Sequence, residues 1–185
     1  MELNAKKRVT LHDKTFELMI PHEELDRHIA VIAQRINQDF MGKPTPIVLG
    51  ILNGSFMFMA DLMKKIDFNC EIQFVKVASY AGTDSSGCVK ELIGLNGNIE
   101  GRDIIIVEDI VDTGTSIVHL MKLLEQHNVN SVSVATMFFK PNSYNKEYEI
   151  KYPAMNIGNE FIVGYGLDYD QLGRNLKDIF VIVNE

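Results

Sequence analysis

The chain predicts an α/β fold built on a parallel sheet. Three features of the sequence carry this. The apolar runs Pro46–Leu52 (PIVLGIL) and Ile104–Val107 have no polar alternation, as in strands buried on both faces. Amphipathic helical segments stand between and after such runs. Strands that alternate with helices in chain order join through crossovers, which makes their sheet parallel.

Each element follows from its pattern. From Pro21 to Phe40, apolar residues recur at Leu25, Ile29, Ile32, Ile36 and Phe40, the spacing of one helical face. Phe56 to Ile66 reads as a second helix. Ile72 to Val77 is rich in β-formers. Ile117, Leu120, Met121 and Leu124 line one face of a helix after the Ile104 strand. Ser131 to Phe139 is again a strand. Beyond Lys140 the pattern turns irregular, with Pro141, Tyr144, Tyr148, Tyr152 and Pro153, before strand-like Phe161–Gly164 and Ile179–Val183. We expect one domain over 1–185: a core over about 20–140, and a small lobe over about 140–175 that includes N-terminal residues.

Composition narrows the function. A net charge of −7 argues against a sequence-independent grip on nucleic acid, which needs a basic surface. No apolar run approaches a membrane span, and the N-terminal segment has no signal-peptide core. Cys70 and Cys88 have neither metal-ligand nor CxxC spacing. They read as reduced thiols, and the expected location is cytoplasmic.

The segment IIIVEDIVDTGTS, Ile104 to Ser116, is the most informative in the chain. It places a turn at a strand's carboxyl end, where ligands of open parallel sheets sit. Backbone N–H groups at the following helix start, with the hydroxyls of Thr113, Thr115 and Ser116, suit a phosphate. No lysine follows Gly114, so this is not a GxxxxGK[ST] loop, and GxGxxG is absent too. Capping and helix-dipole roles account for Asp112 or Thr113. They account poorly for Glu108 and Asp109, which follow the strand core directly. Carboxylates only accept hydrogen bonds and so suit sugar hydroxyls; they also suit Mg²⁺. The implied ligand is a phosphorylated sugar, with its phosphate in the turn and its diol on the acids.

VEDIVDTGTS closely resembles the 5-phosphoribosyl 1-pyrophosphate signature of type I phosphoribosyltransferases, nearest to the hypoxanthine-guanine branch. Further matching segments run in the same order from about Ile47 to Val183. The resemblance implies a parallel-sheet phosphoribosyltransferase core flanked by helices, with a small hood lobe. Ribose and 5-phosphate would lie on Glu108, Asp109, Asp112, Thr113, Gly114, Thr115 and Ser116.

Four more segments extend the likeness. Leu52-Asn53-Gly54-Ser55 resembles the family's pyrophosphate loop, where a non-proline cis peptide commonly presents backbone N–H groups. Many relatives carry Lys in place of Asn53. Ser79–Cys88 resembles the mobile lid, with its Ser79-Tyr80 pair at the start; a lid would keep water from a cationic sugar centre. Lys140 matches the lysine that donates to the purine 6-oxo group. An ammonium only donates, so it prefers a carbonyl to an amino group. In Phe161–Tyr169, the resemblance implies that Phe161 stacks on the purine, the Ile162 backbone reads the ring edge, and Asp168 supports Mg²⁺ or the purine 2-position. Arg174 would grip pyrophosphate, a bidentate match.

The expected activity is purine salvage: Mg²⁺-dependent transfer of 5-phosphoribosyl from 5-phosphoribosyl 1-pyrophosphate to hypoxanthine or guanine, giving IMP or GMP and pyrophosphate. Asp112 is the candidate general acid or base at purine N7. Glu108, Asp109 and Asp168 are the candidate metal ligands. The resemblance implies a homodimer or homotetramer. Alternatives are a phosphoribosyl-pyrophosphate-binding regulator on the same fold, a transferase for another base such as xanthine or adenine, and a flavodoxin-like nucleotide-binding signalling domain. Pyrophosphate release with hypoxanthine separates the enzyme from the regulator.

Overall fold

The computed structural model describes residues 7–77, 91–93 and 97–183. In chain order the elements are β1 (Arg8–Leu11), β2 (Lys14–Ile20), α1 (His22–Phe40), β3 (Ile47–Leu52), α2 (Phe56–Met63), β4 (Glu71–Val77), β5 (Glu91–Ile93), β6 (Asp103–Val111), α3 (Thr115–Glu125), β7 (Ser131–Phe139), β8 (Tyr152–Asn156), β9 (Ile162–Val163) and β10 (Ile179–Ile182).

The main sheet has the order β5-β4-β3-β6-β7-β8. All neighbours are parallel except the β4–β5 pair. Both faces are covered, as the unalternating apolar runs require. On one face α1 and α2 bury Leu25, Ile29, Ile36, Phe58 and Leu62 against Val48, Ile105 and Val107. On the other, α3 buries Ile117, Leu120 and Leu124 against Leu49, Ile104, Ile106 and Val134. Losing one such side chain to Ala costs roughly 2–5 kcal/mol.

Two elements differ in extent from the sequence reading. The helix expected to reach Ile66 stops at Met63. Asn37 of α1 intervenes: its Nδ2 donates to the Lys65 carbonyl at 2.9 Å, and its Oδ1 accepts from the Asp67 N–H at 2.9 Å. The strand expected to end at Val107 runs on to Val111, carrying the acidic residues inside it. Tyr152–Asn156, read as irregular, is the edge strand β8; Pro153 is tolerated there because an edge residue need not donate to the ladder.

A second, antiparallel sheet has the order β1-β2-β10-β9. It joins the start of the described chain to its end around Phe16, Val163 and Phe180. Periodicity did not reveal β1 or β2, which lie on either side of the His12-Asp13 turn; His12 takes a left-handed φ of 50°.

Candidate active site

Strand alternation decides where Glu108 of β6 points. Ile104 and Ile106 face the α3 core, and Ile105 and Val107 face the α1 and α2 core. The same alternation carries Glu108 to the α3 side; it breaks at Asp109, whose carboxylate lies against Gly54 ahead of α2. Sequence reasoning put both on the ribose beside the phosphate turn. Only Glu108 lies there, lining a cavity of about 120 Å³ with Asp112, Thr113, Gly114, Thr115 and Ser116.

Glu108 is buried, and its Oε2 has no hydrogen-bond partner among the described residues. Burial, with the Asp109 charge beside it, holds its carboxyl well above the ordinary range. An orphaned buried acceptor beside an anion turn is a place for a ligand hydroxyl. The turn itself needs Gly114, whose φ is 76°. A Cβ there would also overlap the ring of Tyr144, which packs over the turn and donates its hydroxyl to the Tyr148 carbonyl at 2.5 Å. Thr113 Oγ1 and Thr115 Oγ1 lie 3.1 Å apart. Nothing in the sequence pattern singles out Tyr144.

Asp109 meets the pyrophosphate-loop segment instead. A Cβ on Gly54 would overlap Asp109 Oδ2, so only glycine admits the carboxylate there. Asp109 Oδ1 accepts from the Ile110 N–H at 2.9 Å. Burial pushes its carboxyl up to about 6; the Ile110 amide and the Arg174 cation pull it down, and the Asp168 charge pushes it up. The Leu52–Asn53 peptide is cis, one bond before Asn53–Gly54.

Next to this loop, Gly166 (φ 99°) sits so close that a Cβ would overlap the Gly54 carbonyl oxygen. Arg174 Nη1 donates to the Gly166 carbonyl at 2.8 Å, and Arg174 Nη2 pairs with Asp168 Oδ1 at 2.6 Å. Asp168 Oδ2 accepts from the Gln171 N–H at 2.8 Å. Asn53 and Arg174 line one cleft of about 530 Å³ with Phe56 and Asn175.

The last group stands at the ends of β6 and β7. Their register pairs Val111 with Phe139, which leaves Asp112 and Lys140 abreast. The Lys140 N–H donates to the Val111 carbonyl at 3.0 Å, and Lys140 Nζ donates to Asp112 Oδ2 at 3.1 Å. The lysine is buried and the aspartate half exposed. Phe161 is exposed at 45%, with Tyr169 edge-on at 5.9 Å, whereas its position beside a strand reads as core. Ile162 is buried in β9 opposite Val181. Ser79 and Tyr80 lie outside the described residues.

A model of the phosphoribosyl transferase domain family matches residues 21–170. The chain belongs to the phosphoribosyltransferase family. Relatives of this phosphoribosyltransferase include the hypoxanthine-guanine phosphoribosyltransferase of Staphylococcus aureus, 40% identical over 170 residues that cover 91% of this chain and 94% of that protein. The enzyme of the same name from Streptococcus pyogenes is 42% identical over the same shares. Among solved structures, a hypoxanthine phosphoribosyltransferase from Staphylococcus aureus has a TM-score of 0.85 at 38% identity, covering 98% of this chain and 97% of that one. The Trypanosoma cruzi hypoxanthine phosphoribosyl transferase has a TM-score of 0.85 at 31% identity and 95% coverage of both chains. Five parallel strands of the main sheet carry Glu108, Asp109, Asp112 and Lys140 at or near their ends, and the segment around β9 of the second sheet brings Phe161, Asp168 and Arg174. No helix among the described residues is long and apolar enough to cross a membrane.

Proposed function

We propose that this phosphoribosyltransferase salvages 6-oxopurines, converting hypoxanthine or guanine and 5-phosphoribosyl 1-pyrophosphate into IMP or GMP and pyrophosphate. The observation that carries the reading is the Lys140–Asp112 pair beside the anion turn. A 6-oxopurine with a proton on N7 presents an acceptor next to a donor. Lys140 supplies the matching donor and Asp112 the matching acceptor. Adenine offers an amino group where the lysine needs an acceptor.

The 5-phosphate occupies the amides and hydroxyls of Thr113 to Ser116, and a ribose hydroxyl donates to Glu108. Phe161 offers its exposed ring as a stacking surface. In the reaction purine N9 bonds to C1 of the ribose while the bond from C1 to pyrophosphate oxygen breaks. Pyrophosphate leaves with the electron pair, and Asp112 takes the N7 proton. Glu108, a buried acceptor beside the turn, orients the sugar through that ribose hydroxyl, since burial disfavours its ionised form. Arg174 and the Asn53–Gly54 backbone receive the leaving pyrophosphate.

Asp109 and Asp168 are the residues that fit Mg²⁺. Both offer hard oxygen donors, and the Asp168 charge acts on Asp109. Among the described residues no three such side chains cluster into a closed metal cage. Mg²⁺ commonly takes one or two carboxylates together with substrate phosphates. Once bound, the ion would neutralise charge on the leaving pyrophosphate.

The test is purified protein with Mg²⁺, 5-phosphoribosyl 1-pyrophosphate and each purine base in turn. Nucleotide and pyrophosphate should appear in equal amounts with hypoxanthine or guanine, and chelation of Mg²⁺ should stop both. Product from adenine alone, or from no base, would refute the reading.

A further inference from the structure

Tyr165 combines three unusual properties. Its side chain is buried, at 1% exposure, although it stands in a turn beside the site. Its backbone is left-handed, with φ 48°. Such a conformation is uncommon for a bulky residue and persists only where the surroundings over-determine it. Its hydroxyl reaches across to α2 and donates to Asp61 Oδ2 at 2.6 Å.

The surroundings explain what this holds. The Tyr165 N–H donates to the Leu176 carbonyl at 2.7 Å, and the Gly166 N–H donates to the Arg174 carbonyl at 3.0 Å. The turn from Gly164 is thereby bound to the Gly173–Leu176 segment that carries Arg174. Gly166 abuts the Gly54 carbonyl, immediately before α2, and Tyr165 reaches Asp61 within α2. Two adjacent residues of the turn thus grip one loop-helix unit at two points. Gly54, on the same unit, is in close contact with Asp109. Asp61 is already held by Lys64, whose Nζ donates to its Oδ1 at 2.8 Å. Burial works against the Asp61 charge, but the Lys64 and Tyr165 hydrogen bonds outweigh it and keep the carboxyl below its ordinary value. Burial and the Asp61 partner push the phenol upward, so it stays a donor.

We infer that Tyr165 and Asp61 are positioning residues: their hydrogen bond fixes Asp168 and Arg174 over Asp109 and so sets affinity on the diphosphate side of the site. Neither residue lines the cleft at Asn53 and Arg174 or the cavity at Glu108. The inference rests on the phosphoribosyl-transfer reading and deepens it. A plain core hydrogen bond in this place would affect stability only.

The experiment is steady-state kinetics of Tyr165→Phe, Asp61→Ala and Asp61→Asn, with calorimetric binding of inorganic pyrophosphate and Mg²⁺ to each. Tyr165→Phe should raise KM for 5-phosphoribosyl 1-pyrophosphate and weaken pyrophosphate about threefold to tenfold, with KM for hypoxanthine unchanged. Asp61→Ala should do the same, and the double variant should be no worse than either single one. Asp61→Asn, which still accepts from the phenol, should stay near the parent. Asp61→Ala also keeps the test open if Tyr165→Phe does not fold. Lowered thermal stability with parent-like pyrophosphate affinity would overturn the inference, as would an equal rise in both KM values. A parent that binds pyrophosphate while the variants match it sinks the inference alone. A parent that binds no pyrophosphate sinks the transfer reading with it.

Discussion

Lys140 and Asp112 form an ion pair of 3.1 Å because the parallel register of β6 and β7 brings their strand ends level. A cation that only donates and a carboxylate that only accepts thus stand side by side before any purine enters. On the proposed reading, the purine would substitute its own carbonyl and N7–H for this internal pairing.

Asp112→Asn keeps the shape and removes the proton acceptor. Turnover should fall by about 10²–10⁴, while KM for both substrates stays within a few-fold of the parent. Steady-state kinetics with hypoxanthine checks this. Equal turnover in mutant and parent would remove Asp112 from proton transfer.

Lys140→Gln replaces a pure donor with a group that can also accept. The preference for hypoxanthine over adenine should then drop by about tenfold or more, the scale of one hydrogen bond to a charged group. Competition between the two bases measures the ratio. An unchanged preference would place base selection elsewhere.

Asp109 gives a pH signature. Its carboxyl titrates near 6 in the folded chain against an ordinary value of 3.8. Between these values the folded state holds the proton and the unfolded state does not, so stability from this group falls as pH rises through the window. The penalty is absent below about 3.8 and complete above about 6, and each unit of elevation is worth about 1.4 kcal/mol. Asp109→Asn should therefore raise the Tm of the free protein at pH 7.5 and shift it little at pH 3.5. In the parent, Mg²⁺-dependent binding of 5-phosphoribosyl 1-pyrophosphate should weaken as pH falls through about 6, where the ionised carboxylate is lost. Scanning calorimetry and titration calorimetry read the two effects. A higher Tm at pH 3.5 only would contradict the assignment.

Gly54→Ala tests the contact that places Asp109. The added methyl group overlaps Asp109 Oδ2, so the carboxylate must turn away. Overpacking costs typically 1–3 kcal/mol, and affinity for pyrophosphate with Mg²⁺ should fall at least about tenfold. Parent-like affinity would show that Asp109 takes no part in that half of the site.

The main sheet was legible because its strands are apolar on both faces, and α1 because Leu25 to Phe40 repeats with helical period. The turn between β6 and α3 was legible because a glycine among hydroxyls at a strand end marks a strand-to-helix turn. The opposed directions of Glu108 and Asp109 were not, since β6 shows no alternation from which to read its faces. Glu108 follows the core that claims Ile106, and Asp109 its contact with Gly54. The small sheet was hidden for a different reason: β1 pairs only with β2, and β2 finds its other partner more than 150 residues later in β10. The closeness of Gly54, Asp109 and Gly166 is likewise tertiary, and only the glycines themselves hint at it.

The most direct test of the account is a crystal structure of the chain with IMP bound. We predict the 5-phosphate on the amides and hydroxyls of Thr113 to Ser116, a ribose hydroxyl within hydrogen-bond distance of Glu108 Oε2, and the 6-oxo group on Lys140 Nζ. A phosphate bound away from that turn, or a purine whose oxygen turns away from Lys140, would contradict it.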